Sequence, residues 1–301
     1  MANGNKSSLK KAFKKLDFGA ILTFVFVSVY CFLMIYILYF GLQTALKDNY
    51  DFALDHNIFG LPNWGKYSFS LENFDFAFKY MKLQVRGRLY AGVLIQFVYG
   101  LMYAIGSAIA NVFAKALPAY FCAKYRTKFG GVLYIVAVVT MILPTVGTTA
   151  ATIQIMRSLQ IYDTYFGILF YNASFWGTYF LVFYAAFRGI SNAYAEAAKI
   201  DGAGDFSILF KIYIPMVAPS LVAVGIMQFI MFWNDYQVPM IYLPSMPTIS
   251  YGLYRFSRTE RASNAPGLLS ACLIVCIPTI VLFAIFKDKI MGNISAGGLK
   301  G

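Results

Sequence analysis

Carboxylates are scarce in this chain. Asp and Glu number 13 among 301 residues, against 25 Lys and Arg, and there is one histidine, His56. Charged residues make up 13% of the whole, about half the share found in an ordinary soluble domain. So small a stock of titratable groups leaves little for acid–base catalysis. No Ser-His-Asp set, no carboxylate pair at a useful spacing and no G-x-x-x-x-G-K-S/T phosphate loop occurs. The chain therefore reads as no enzyme and carries no expected cofactor or metal. His56 is expected as a solvated loop residue. Cysteine is equally sparse. Cys31, Cys122, Cys272 and Cys276 lie in or at the ends of apolar stretches, where a thiol behaves as a small hydrophobe. Neither a disulfide framework nor a zinc site is indicated, and the shared face of Cys272 and Cys276 is explained by packing.

What abounds is apolar. Hydrophobic residues reach 59% and the mean hydropathy is +0.63, the composition of an integral membrane protein. A charged side chain at the centre of a spanning helix costs about 2.5–3.5 kcal/mol, so charge-free runs locate the spans. Six are present: Phe18–Leu46, Leu89–Ala114, Phe129–Met156, Thr164–Phe187, Ile212–Asn234 and Ala262–Phe286. Each exceeds the roughly 20 residues needed to cross. The expected fold class is all-α, with six transmembrane helices. The lysine-rich head before the first run resembles a signal peptide only superficially, because its apolar part is too long for an h-region. That run is expected to stay as an anchor. The chain then divides into a basic head (1–17), the first membrane helix (18–46), a loop (47–88), a core of five helices (89–288) and a tail (289–301).

Cations set the orientation. With the N-terminus inside, the inner segments hold Lys6 to Lys15, then Lys115, Lys124, Arg126 and Lys128, then Arg188, Lys199 and Lys211, and last Lys287, Lys289 and Lys300. Both termini are then cytoplasmic. The net charge of +12 is mainly a topology signal, and nucleic acid is not an expected partner. Pro144 and Pro239 are candidate breaks in spans, where simple kinking explains them as well as gating does.

One polar stretch is unusually ordered. NAYAEAAKIDGAGDFSILFKIYIPM, from Asn192 to Met216, lies between the fourth and fifth runs, so inside the cell on this topology. Its alanine-rich start favours a helix with Ser191 or Asn192 as N-cap and Glu196 near the positive first turn. Gly202 stops that helix. Phe206, Leu209, Phe210 and Tyr213 then repeat at helical spacing, and Pro215 suits the first turn of the next helix. Two short helices should meet at a glycine elbow, with a narrow ridge at Ala195, Ala197 and Ala198, and with Glu196 and Lys199 free to fix register by ion pairing. By shape alone an interfacial connector and a docking element explain it equally.

The residue pattern adds a resemblance. Glu196-Ala197-Ala198, three residues, Gly202, nine residues, Ile212, one residue and Ile214-Pro215 resembles the E-A-A-x3-G-x9-I-x-L-P loop of ABC-importer permeases, with Ile214 where leucine is usual. Ser295 to Gly301 is similar to the C-terminal x-A-G-x-V/L-K-G of the maltose-type permeases of the carbohydrate-uptake group. Phe232-Trp233-Asn234-Asp235-Tyr236 resembles the W-N-D/E-F/Y segment of sugar permeases. The likeness covers roughly Leu94 to Gly301, and the loop from Lys47 to Arg88 resembles nothing familiar.

The resemblance implies a type I ABC importer permease fold and a permease subunit that moves a sugar or oligosaccharide across the cytoplasmic membrane. Its implied partners are a sister permease in a heterodimer, two ATPase subunits, an extracytoplasmic solute-binding protein and the bilayer. Glu196, Ala197, Ala198, Asp201, Gly202, Ala203, Ile212 and Pro215 would couple to the ATPase, and Gly297, Gly298, Lys300 and Gly301 of the tail would reach the same subunit. The segment Pro244–Gly267 would meet the binding protein through Tyr251, Tyr254, Arg255 and Arg258, or serve as an ordinary surface loop. Gln228, Trp233, Asn234 and Asp235 are candidates for a sugar path. With Pro239, Gln228 and Asp235 are spaced seven and four apart, near one helix face. Interface preference of tryptophan and helix-to-helix gluing are the competing explanations. A permease for a non-sugar solute, or a single-chain secondary transporter, are the alternative readings.

Overall fold

Long uninterrupted apolar runs with few glycines form helices. In the computed structural model, which describes residues 18–54, 69–85, 87, 89–125, 127–143 and 147–296, helix dominates. The chain divides into two compact units, Met1–Ala77 with Ala262–Leu273, and Phe78–Arg261 with Ile274–Gly301.

The first unit contains helices α1 (Phe18–Ala45), α2 (Asn49–Leu54) and α3, which starts in it and runs Glu72–Tyr80. Helix α1 is apolar on every side and none of its most hydropathic stretch is buried. Only its end is enclosed. There Asn73 donates to the carbonyls of Ala45 and Lys47 at 2.9 and 2.7 Å, and Ser270 donates to Ala45 at 3.3 Å.

The second unit opens with an antiparallel hairpin, β1 (Leu83–Val85) on β2 (Leu89–Ala91), in which Gln84 opposes Tyr90. Helix α4 (Val93–Lys124) follows and is the axis of the unit. At 32 residues it is about 48 Å long at 1.5 Å per residue. Around it come α5 (Lys128–Ile142), α6 (Thr149–Ser158), α7 (Tyr165–Asn172), α8 (Thr178–Arg188), α9 (Ala193–Ile200) and α10 (Asp205–Ile208). A π-turn at Leu209–Tyr213 then leads to α11 (Ile214–Asn234), α12 (Gln237–Tyr242) and α13 (Ile249–Phe256), and α14 (Ala265–Ala296) starts in the first unit and enters the second at Ile274. Val112, Ala116 and Ala119 of α4 meet Phe180, Phe183 and Phe187 of α8 and Val217 and Val224 of α11 in one buried cluster. Small residues let the backbones close up, as membrane helices require where lipid removes the hydrophobic drive. Gly106 is one such case: a Cβ there would overlap the Tyr165 hydroxyl, which donates to the Met102 carbonyl at 2.8 Å.

Among the described residues four helices are long and apolar enough to cross a membrane: Gly19–Ala45, Val93–Lys124, Asp205–Asn234 and Ala265–Lys287. The other two expected runs are not continuous helices. Phe129–Met156 is divided between α5 and α6, and Thr164–Phe187 between α7 and α8. In the second case the chain leaves the helix after Asn172 and re-enters at Gly177, whose φ of 120° no L-residue adopts comfortably. A second correction concerns Lys115. Expected in an inner segment, it lies within α4 and is 4% exposed.

Candidate functional site

The ordered stretch folds as a helix, an elbow and a helix. Asn192 is the N-cap residue of α9 but makes no side-chain cap bond; Ser191 accepts from the Ala193 N–H at 3.2 Å instead. At the other end Gly202 adopts φ +80°, its N–H bonds to Lys199 at 3.1 Å and the Ala203 N–H bonds to Ala198 at 2.8 Å. This reciprocal pair is the Schellman motif. A Cβ on Gly202 would meet nothing within 4 Å, so the backbone angle, and not space, calls for glycine. Lys199 spans the elbow to Asp205 at 3.2 Å, which ties the two helices of the elbow to each other. Pro215 occupies the first turn of α11, as expected.

The elbow is anchored at its base and bare at its rim. Lys124, at the end of α4, donates to the Ile190 carbonyl and to Asn192 Oδ1 at 3.2 Å, and stands 4.8 Å over the Tyr213 ring. Ile208, Leu209 and Tyr213 turn inward. Phe206 and Phe210 do not join them. Ile200 is 87% and Phe206 81% exposed, beside exposed Glu196, Ala197, Asp201 and Gly202. Ala198, Ala203 and Ile212 are half-buried. Glu196 also borders a recess of about 170 Å³ with Lys124, Asn192 and Tyr213.

A buried polar ladder runs up α4 from near this end. Tyr103, Ser107, Asn111 and Lys115 are spaced by four and none is more than 6% exposed. Lys115 Nζ donates to Asn111 Oδ1 at 2.7 Å and to the carbonyl and hydroxyl oxygens of Ser174 at 3.0 and 3.4 Å, using all three of its N–H donors. Asn111 donates to the Asn172 carbonyl at 2.7 Å, and the Asn172 side chain donates to Ser107 at 2.9 Å and Tyr103 at 3.4 Å. Tyr103 donates to Asp235 Oδ2 at 2.8 Å. Asp235 Oδ1 in turn accepts from the N–H groups of Gln237 and Val238, where α11 has ended and α12 begins. The ladder was not read from the sequence, although a polar residue at every fourth position of an apolar run was the available signal.

This arrangement corrects the expected helix face. Asp235 has an extended backbone and terminates α11, so Gln228, Asp235 and Pro239 do not share one helix. Trp233 is 2% exposed; its indole donates to the Val275 carbonyl at 3.0 Å, stacks on Phe229 and meets Phe97 edge-on. Gln228 is buried with its carbonyl oxygen unbonded. Asn234 is exposed and donates to Ile230 of its own helix. Of the second expected surface, Tyr254 stacks on Tyr236 at 4.2 Å and Tyr251 is half-buried, while Arg255 and Arg258 are exposed. Gly297, Gly298, Lys300 and Gly301, like Pro144 and His56, lie outside the described residues.

Comparison with known proteins gives this architecture a family. Residues 116–291 match the model of the binding-protein-dependent transport system inner membrane component. The chain belongs to that family. The family match and the apolar helices make it a multi-pass component of the cytoplasmic membrane. The probable ABC transporter permease protein YurM of Bacillus subtilis is 26% identical over 291 residues, which is 96% of this chain and 91% of that protein. The melibiose/raffinose/stachyose import permease protein MelC of the same organism is 26% identical over 199 residues, 65% of this chain and 72% of that one. The arabinooligosaccharides transport system permease protein AraQ of Halalkalibacterium halodurans is 26% identical over 196 residues, 64% and 69% of the two chains. Among solved structures, a chain of a bacterial ABC transporter involved in the import of the acidic polysaccharide alginate shares the fold, with a TM-score of 0.73 and 20% identity. That match covers 89% of this chain and 95% of that one.

Proposed function

We propose that this permease subunit carries a sugar or oligosaccharide through the cytoplasmic membrane, and that the elbow between α9 and α10 receives the push of a separate ATPase subunit. The observation that carries this reading is the elbow itself: a helix held at its base by Lys124, stopped by Gly202, and presenting Ile200 and Phe206 bare to solvent. Large apolar side chains at that exposure suit a contact with protein or with lipid, and the exposed Glu196, Lys199, Asp201 and Asp205 around them favour protein. The sugar assignment is supported by the relatives named for melibiose, raffinose and stachyose and for arabinooligosaccharides.

In this reading Glu196, Ala197, Ala198, Asp201 and Gly202 meet the ATPase, Ala203, Ile212 and Pro215 set the elbow against α11, and Gly297 to Gly301 add a second contact. Both termini are cytoplasmic, the two divided runs complete six crossings, and a sister permease supplies the other wall of the path. Alternating access then follows from rigid-body movement around a site near the bilayer midplane. The ladder keeps α4, α7 and the α11–α12 junction moving as one piece. Gln228 and Asn234 are the remaining path candidates. Trp233 and Asp235 act by holding α11 in place.

The test separates coupling from folding. Glu196→Lys and Gly202→Pro are expected to leave the subunit inserted and to abolish uptake, with the ATPase lost on purification or its hydrolysis no longer stimulated. Full uptake with normal ATPase co-purification would assign the elbow to a plain connector.

A further inference from the structure

The elbow is closed at its neck by one ammonium. Lys124, the last residue of α4, donates to the carbonyl of Ile190, just past the end of α8, and to Asn192 Oδ1 at 3.2 Å, at the start of α9. The same nitrogen stands 4.8 Å over the ring of Tyr213, within the reach of a cation–π contact. Entry and exit of the elbow, far apart along the chain, therefore meet at a single side chain of α4. Tyr213 is 1% exposed. Its ring centre lies 5.3 Å from that of Tyr120 of α4, which lies 5.4 Å from that of Phe187 of α8.

A lysine at the inner end of a span ordinarily marks topology and extends its ammonium to the headgroups. Lys124 does the opposite. It is half-buried and turns its charge onto neutral acceptors and a buried ring, while Lys128 at the start of α5 is exposed and free to meet the headgroups. Glu196 and Asp205 line the recess beside Lys124, yet among the described residues no carboxylate lies within ion-pairing distance of it. Asp205 is held by Lys199, and Glu196 stays exposed. The neck therefore closes without using the acid that the proposed ATPase contact needs.

Beyond Lys124 the connection continues without a gap. Helix α4 runs unbroken from Val93, and its ladder of Lys115, Asn111, Ser107 and Tyr103 ends on Asp235 at the α11–α12 junction. We infer that Lys124 is a positioning residue of transport: it makes the elbow move with α4, so that displacement of the elbow by the ATPase reaches the α11–α12 junction. Energetic coupling travels through such contiguous contacts. The backbone also joins the elbow to α8 and α11, so removing the ammonium weakens the coupling and does not abolish it. This rests on the proposed seat of the ATPase and adds the side chain that passes its movement on.

The experiment uses the whole transporter complex in nanodiscs with its solute-binding protein present, the native cysteines replaced by alanine and Asn234→Cys added as a reporter. Asn234 is exposed at the end of α11, beside Asp235. Its labelling by a water-soluble maleimide is timed with and without ATP plus vanadate, next to ATP hydrolysis without vanadate and retention of the ATPase. In the parent complex, nucleotide is expected to change the labelling rate. Lys124→Met is expected to keep the ATPase and its hydrolysis within about twofold and to lose roughly tenfold of the nucleotide response, in the range of ordinary coupling between sites. Asn192→Ala should lose less. Lys124→Arg, whose guanidinium bonds the same acceptors and stacks on the same ring, should keep most of the response. A Lys124→Met complex that responds like its parent overturns the inference and leaves the coupling reading standing, as does a parent whose labelling ignores nucleotide while it hydrolyses ATP. Should Lys124→Met lose the ATPase, Asn192→Ala decides: a weakened response with the ATPase retained supports the inference, and a normal one assigns Lys124 to the fold alone and overturns it. A parent complex that does not retain the ATPase would overturn both readings.

Discussion

Helices α1 and α4 are both long, apolar runs, yet one is bare and the other is the axis of its unit. The most hydropathic stretch of α1 has none of its residues buried, against 39% in α4. The difference lies in what interrupts the hydrophobicity. Before Gln43 and Thr44, helix α1 carries only the small hydroxyls Thr23 and Ser28 and the rings of its tyrosines as polar groups, whereas α4 places Tyr103, Ser107, Asn111 and Lys115 on one face. In lipid an apolar face gains little by choosing protein over acyl chains, while an unbonded polar group costs several kcal/mol. Polar periodicity therefore selects the helix that goes inside, and uniform hydrophobicity leaves a helix to lipid or to another subunit.

Substitutions in the two helices should separate accordingly. The largest effect is expected at Asn111→Leu, which leaves the Lys115 ammonium without its 2.7 Å acceptor and the Asn172 carbonyl without its donor. A loss of about 3 kcal/mol should show as a clear fall in the unfolding midpoint in detergent. Next comes Asn172→Leu, which removes the bonds to Ser107 and Tyr103 and is expected to cost about 1–2 kcal/mol. Gly106→Ala should follow at about 1 kcal/mol or more, because the new methyl displaces the Tyr165 hydroxyl from Met102. Phe26→Ala in α1, where the ring is 73% exposed, should change the midpoint of the isolated subunit by less than about 0.5 kcal/mol. A large shift there would show that α1 packs on its own subunit and would erase the contrast.

The amount legible beforehand follows the same physics. The predominantly helical membrane fold and the helix–elbow–helix were readable because a charge-free run, a glycine stop and Pro215 are local signals, whereas the β1–β2 hairpin departs from the all-α expectation. The ladder was not, because Asn172 and Asp235 lie 69 and 132 residues from Tyr103 in sequence and meet it only through packing. Lys115 was misplaced for a related reason: charge argues for water unless acceptors such as Asn111 and Ser174 are known to be waiting. The expected face through Gln228, Asp235 and Pro239 failed because Asp235 caps the next helix instead of continuing its own.

Disulfide or bifunctional-reagent cross-linking in native membranes shows whether the elbow seats the ATPase. With the native cysteines Cys31, Cys122, Cys272 and Cys276 replaced by alanine, single cysteines are introduced as Ile200→Cys, Phe206→Cys and, as a control in α1, Phe24→Cys. Ile200→Cys and Phe206→Cys are expected to join the ATPase subunit in a transport-active complex, and Phe24→Cys is not. An active complex in which neither elbow cysteine reaches the ATPase, while another part of the chain does, would contradict this.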